Sequence, residues 1–188
     1  MIQAGQTIEH PVTGERMTFL KTSRETGGEY VLVELELAPG GHVAAAHLHP
    51  YQDEVFEILE GRVGFKAGDR EFVAVAGGSI TVERGTAHKF WNAGEETARF
   101  RAEVRPALRF EQLIETMFTL AQDGKVNRKG MPNPLRLAVI ARAHFDDVRL
   151  PFPPAWMQRA GLALGAPAGS LLGYRPTYAP AAAEPALA

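Results

Sequence analysis

Three histidines and a glutamate lie in two short blocks of this chain at intervals that suit a shared metal ion. His47, His49 and Glu54 fall in GHVAAAHLHPYQDEVFEILEG, and His88 falls in GGSITVERGTAHKFWN. Neutral imidazole nitrogens and a carboxylate oxygen together favour a divalent first-row metal, and four such donors from separated segments can surround one ion. An ion held this way polarises a carbonyl or binds dioxygen, so chemistry on a small organic molecule is the leading function class. Glu54 is a candidate for a second role, detaching from the metal to act as a base.

The elements that must position these groups can be read from side-chain alternation. Along a strand successive residues face opposite ways, so His47 and His49 share a face and Leu48 turns from it. Glu54 stands an odd number of residues beyond His49 and would face the wrong way on an unbroken strand. Pro50 supplies the required corner, because it has no ladder N–H and biases its neighbour toward extended backbone. In the second block His88, Phe90 and Asn92 share a face, opposite Lys89 and Trp91. Gly61, Gly77 and Gly85 sit where short strands must turn.

On these residues the chain resembles the cupins. Gly41, His47, His49, Glu54 and Gly61 match the family's first motif, and Gly77, Gly85, His88 and Asn92 match its second, with Glu83 where the family usually has proline. That proline is a turn residue, so its replacement bears on loop rigidity more than on metal binding. The resemblance covers roughly residues 30 to 106. It implies an all-β core, an antiparallel jelly-roll barrel with the metal inside, and His47, His49, Glu54 and His88 as ligands of one divalent transition metal per chain: iron, manganese, nickel, copper or zinc. Three neutral imidazoles and one carboxylate leave one net positive charge, and two neighbouring octahedral positions stay open for water, dioxygen or substrate. The expected activity is that of a dioxygenase-like oxidoreductase. A metal-dependent isomerase or cyclase, and a small-molecule binding or sensing protein without turnover, are the alternatives. Phe56, Phe65, Phe90 and Asn92 are candidate pocket residues, with Phe90 equally suited to barrel core and Asn92 also to a strand end; the phenylalanines would favour a mainly apolar or aromatic substrate.

The rest of the chain reads as short strands followed by helices. Strand-like stretches occur at 6–8, 16–21, 30–37, 54–59, 62–67, 70–75, 79–82, 88–92 and 98–105, with turn residues between them. Apolar residues then recur at helical spacing from Phe110 to Ala121, from about Pro134 to Ala143 and from Ala155 to Leu164. Gly161, Gly165 and Gly169 are expected to loosen the chain beyond that last stretch, with Leu171 and Leu172 a final apolar clip. The expected organisation is N-terminal strands over 1–29, the barrel over 30–106, a helical extension over 107–178 and a disordered tail over 179–188. The extension is expected to cover Val55 and Leu59, which face out of the barrel, and to act as outer packing, a lid or a dimer contact. Arg99, Arg101 and Arg105 form a stripe that reads as a solvated face or an anion site.

Composition narrows the partners. The 188 residues carry 20 basic and 22 acidic side chains, which marks no general affinity for nucleic acid or anionic membrane. There is no cysteine, so disulfides, thiolate metal sites and cysteine nucleophiles are excluded together. The first residues lack the basic-then-apolar design of a secretion signal, and no apolar run is long enough for a membrane span, so the expectation is a cytoplasmic protein. A homodimer is expected from the family and from an exposed barrel edge. His10, His42 and His144 are expected as core or surface residues rather than ligands.

Overall fold

A computed structural model describes residues 2–180 of the chain. Most of the expected disordered tail, from 181 on, lies outside the described residues. Nine antiparallel strands come first: β1 (Thr7–His10), β2 (Glu15–Lys21), β3 (Val31–Leu37), β4 (Asp53–Glu60), β5 (Arg62–Ala67), β6 (Arg70–Val75), β7 (Ser79–Val82), β8 (His88–Asn92) and β9 (Ala98–Arg105). Three helices follow, α1 (Phe110–Gln122), α2 (Pro134–Ala143) and α3 (Ala155–Leu171). A six-stranded sheet in the order β1-β2-β3-β9-β4-β7 faces a three-stranded sheet in the order β6-β5-β8, which is the jelly-roll arrangement. The two N-terminal strands extend the same sheet as β3, with Met17 opposite Leu35 and Phe19 opposite Val33.

Alternation decides what fills the barrel. Val31, Val33, Leu35 and Leu37 of β3 and Phe100, Ala102 and Val104 of β9 all point into one core, and so do Phe56 and Ile58 of β4. Gly61 permits the β4–β5 turn twice over: its φ is +74°, and a Cβ there would stand 2.9 Å from the Ala98 Cα. Outward-facing charges pair across the strands. Arg99 reaches Glu34 at 3.1 Å, Arg101 reaches the same carboxylate at 3.3 Å, and Arg105 reaches Glu103 at 3.0 Å. The arginine stripe is therefore a laced, solvent-facing surface whose pairs contribute little individually, not an anion site.

The extension folds differently from expectation in two respects. It does not cover Val55, which stays 39% exposed; α1 packs instead on β1, inserting Phe110 and Phe118 into the barrel core, with Phe118 edge-on to His10 at 5.3 Å. The third helix also runs on to Leu171, through Pro167 and the glycines expected to loosen it. Two of those glycines are where α3 meets α2: a Cβ at Gly169 would come 2.5 Å from the Leu135 carbonyl oxygen, and one at Gly165 3.1 Å from the Ala138 Cβ. Close helix contact outweighs weak local propensity. Leu171 and Leu172 project outward and clip nothing.

Glu15 gives the fold a pH dependence. Its carboxyl is buried at the start of β2, accepting one hydrogen bond from Thr13 Oγ1 at 2.7 Å, and burial pushes its pKa up from 4.5 to about 7. Across the ladder stands His10, whose pKa burial lowers, so the opposing imidazole offers no countercharge at neutral pH. Because the unfolded chain releases this proton at lower pH than the folded one, stability falls as pH rises from about 4.5 to 7, by roughly 3 kcal/mol from this group alone. Glu15→Gln should remove that slope. In urea titrations its advantage over wild type grows between pH 5 and 8, whereas a constant difference across that range would refute the assignment.

Candidate metal centre

The two segments carrying the motif residues meet at one end of the barrel. His47 N–H donates to the His88 carbonyl at 3.0 Å, and His88 N–H donates back to the His47 carbonyl at 2.7 Å, so a single two-way bridge sets these residues side by side. The chain then bends at Pro50 and Tyr51 before β4 begins, and the corner returns Glu54 to the inner face. Gly85 N–H donates to the His49 carbonyl at 2.8 Å, tying the second motif's turn to the first motif's histidine. That turn holds without its usual proline. Thr86 N–H closes it on the Glu83 carbonyl at 3.1 Å, and Asp53 accepts from both the backbone N–H and the side chain of Arg84, at 2.8 and 3.1 Å.

His47, His49, Glu54 and His88 each offer one donor atom within 4.8 Å of all the others, an arrangement that could hold a metal ion. His49, Glu54 and His88 are buried, and His47 is half-buried, which places the open side of the cluster next to His47. The imidazole rings are close, at 4.4 Å between the centroids of His47 and His88 and 5.0 Å between those of His47 and His49. Glu54 stands between two of them, with Oε2 at 2.7 Å from His88 Nε2 and Oε1 at 3.6 Å from His49 Nε2.

The hydrogen bonds behind the rings test whether these groups fit a metal. His47 Nδ1 lies 3.0 Å from the Ala45 carbonyl, His88 Nδ1 3.1 Å from the Thr86 carbonyl, and His49 Nδ1 2.7 Å from the Asp147 carbonyl. A carbonyl can only accept, so each neutral ring carries its proton on Nδ1 and presents an Nε2 lone pair to the centre. His49 Nε2, His88 Nε2 and Glu54 Oε2 are buried and have no partner in hydrogen-bond geometry. Buried polar atoms are normally satisfied, so this close set of donor atoms fits a divalent cation held among them. The electrostatics agree. Desolvation and the neighbouring His88 and His49 rings hold the His47 pKa down at about 3, keeping it neutral. Burial would raise the Glu54 pKa, but His49 and the close contact with His88 outweigh it and hold it at about 2, so the carboxylate is charged. Burial depresses His88, and Glu54 more than offsets this, so its net direction is upward.

Two contributors escaped the reading of the sequence. Gln52 Oε1 lies 3.0 Å from His49 Nδ1, while its amide donates to the carbonyls of Pro106 and Ala107 at 2.9 and 3.1 Å. Asp147 supplies its backbone carbonyl to His49 from almost a hundred residues away. Its carboxylate is fixed by His144 Nδ1 at 2.8 Å and Arg109 Nε at 3.2 Å, and the next residues bridge to Leu48 through Arg149 N–H and carbonyl, both at 2.9 Å. The helical extension thus buttresses the His47–His49 segment from behind. A buried glutamine directly before the acidic residues of β4 was a usable signal for Gln52; nothing in the sequence marks a backbone carbonyl at 147.

The expected pocket residues require correction. Phe56, Phe65 and Phe90 pack on one another, with centroids 5.2 to 6.3 Å apart, and all three are buried in the barrel core. Phe56 backs the cluster, 6.4 Å from the His88 ring. Asn92 has no group to spare for a ligand: its amide donates to the carbonyls of Leu37, Ala38 and Glu96, and its oxygen accepts from Gly94 N–H at 2.8 Å. It ties the end of β8 to β3. His10 and His144 are buried outside the cluster, and His42 sits half-buried with Nδ1 at 3.1 Å from the Gly40 carbonyl. Among the described residues no helix is long and apolar enough to cross a membrane.

Residues 33–104 match the family model of the cupin domain. A curated relative, the probable oxidoreductase virH of Hypocrea virens, is 29% identical over 155 residues, an alignment that spans 74% of this chain and 68% of the relative. Among solved structures, a predicted oxalate decarboxylase from Thermotoga maritima is 22% identical over 49% of this chain and 80% of its own, with a TM-score of 0.47. An RmlC-like cupin from Shewanella frigidimarina is 16% identical over 57% of this chain and 88% of its own, with a TM-score of 0.48. With both histidine motifs on a closed antiparallel barrel and the family model spanning β3 to β9, residues 33–104 of this chain form a cupin domain.

Proposed function

We propose that this protein is a mononuclear metal-dependent oxidoreductase, dioxygenase-like in its chemistry, acting on a small and mainly apolar or aromatic organic molecule. The observation that carries the reading is the set of orphaned donor atoms on His49, His88 and Glu54, completed by His47. A redox-active divalent ion bound there would supply both Lewis acidity and access to dioxygen. The chain's own part is to hold and orient. Three carbonyl-anchored imidazoles fix their tautomers, and the Glu54 carboxylate brings one negative charge against the ion's two positive ones. Glu54 is placed for ligation, its oxygens set between His49 and His88, and it keeps the base role considered from sequence should it detach from the ion. Phe56 and the rings behind it exclude water from the inner side, leaving the approach past His47 and the apolar stretch Val43 to Ala46. That approach supports an apolar substrate, and the relative named a probable oxidoreductase supports the reaction class.

The test begins with elemental analysis of protein purified without metal affinity. About one divalent transition metal per chain is expected, followed by oxygen consumption with catechol-like or diketone substrates that stops on chelation. Conversion of substrate without oxygen uptake would shift the assignment to an isomerase or cyclase. Tight ligand retention without turnover would shift it to a binding protein.

A further inference from the structure

One half of α3 has nothing against it among the described residues. The helix lays Ala166 and Gly169 on α2. At about 100° per residue the opposite half presents Trp156, Met157, Ala160, Leu164, Ala168 and Leu171, without a charge. Trp156 is 71% exposed, Leu164 79% and Leu171 90%, and Phe152, in the bend just before the helix, is 77% exposed. Taking an aromatic side chain at 150–250 Å², Phe152 and Trp156 alone expose roughly 300 Å², which already equals the largest apolar patch of many monomers. With the aliphatic residues the patch reaches roughly 600 Å² per chain. Two such patches together approach the ~1,200 Å² at which specific interfaces begin.

The order of residues on this face says what covers it. It reads the same in both directions from Leu164: Met157 stands seven residues before it and Leu171 seven after, Ala160 four before and Ala168 four after. Large side chains at the centre and ends alternate with alanines between them. An antiparallel copy of the same helix therefore sets Leu164 against Leu164, each Met157 beside the other chain's Leu171, and alanine opposite alanine, where the backbones can approach to roughly 8 Å. A membrane surface fits less well, since such helices carry a basic outer face and the one charge on α3, Arg159, lies off the stripe, stacked 4.9 Å from Phe145.

We propose that the outer face of α3 is a homodimer surface on which two copies of this chain pair antiparallel about a twofold axis through Leu164. The proposal is independent of the chemistry assigned to the metal centre. The absence of cysteine makes single-cysteine cross-linking clean. With a bis-maleimide of roughly 8 Å reach, Leu164→Cys should join most chains in pairs, whereas Met157→Cys alone should not, because the two copies of position 157 would stand about 21 Å apart. The double variant Met157→Cys/Leu171→Cys should cross-link. In sedimentation velocity the full chain should be dimeric at micromolar concentration, and Leu164→Glu should weaken the pair at least a hundredfold with an unchanged circular dichroism spectrum. A wild-type monomer at tens of micromolar, whether or not it binds vesicles, would overturn the proposal. So would a Leu164→Glu variant that stays dimeric, or strong cross-linking by Met157→Cys alone.

Discussion

His49→Ala is expected to purify with less than about a tenth of the wild-type metal content and to show no rise in melting temperature when metal is added. His49 is the candidate ligand with the most elaborate support. Its ring is buried, its Nδ1 meets both the Asp147 carbonyl and Gln52, and its Nε2 faces Glu54 at 3.6 Å. Removing it takes away one of four donors and leaves the Glu54 charge with two imidazoles, so affinity should fall by at least two orders of magnitude, more than the 10- to 100-fold typical of losing an outer hydrogen-bond partner. Gln52→Ala should show that smaller effect, since the Asp147 carbonyl still fixes the ring's tautomer. Elemental analysis and a metal titration followed by thermal melting separate the two cases. Full occupancy in His49→Ala would remove it from the ligand set.

Phe56→Ala is expected to cost about 4 kcal/mol of stability, a large share of the 5–15 kcal/mol of an ordinary domain. The side chain is 1% exposed at the middle of β4, and its ring contacts Phe65 at 5.2 Å, Phe90 at 6.0 Å and Phe100 at 6.1 Å. Truncation opens a cavity that these rings cannot close, being held by three different strands. Phe56→Leu should cost roughly half as much or less, because most of the volume stays filled. Guanidinium unfolding midpoints report both. A cost below about 1 kcal/mol for the alanine variant would mean that Phe56 borders an open, hydrated pocket, as the sequence alone allowed.

These two residues also show where sequence reasoning is strong. The period of two along β4 predicts that Glu54, Phe56 and Ile58 share the inner face, and all three are buried. The corner at Pro50 was legible for the same reason: parity along a strand leaves no other way to bring Glu54 round to the face of His49. Parity says only which way a side chain points. It does not say how far inside it lies or what stands in front of it, so Phe65 read as a pocket wall when it is fully buried, while of the two roles open to Asn92 the strand end is the one its amide fills.

The extension was legible as helices but not in its purpose. Apolar spacing located α1 and α2 closely, because amphipathic helices repeat over a few residues. The end of α3 was missed because Gly165 and Gly169 look like breakers until α2 is seen against them. In the same way, the support that residue 147 gives His49 is a backbone carbonyl, which every residue possesses.

What the sequence determined by itself was the set of strands, the inner and outer faces of each, and the four donor types that a single ion would need. Only the tertiary structure decided which donors are left without partners, which phenylalanines touch one another, and which stretch of the helical extension braces the metal-binding segment. The division has a physical cause. Strand parity and helical period are properties of neighbouring residues, whereas convergence, burial and hydrogen-bond satisfaction depend on groups that folding brings together from positions far apart in the chain.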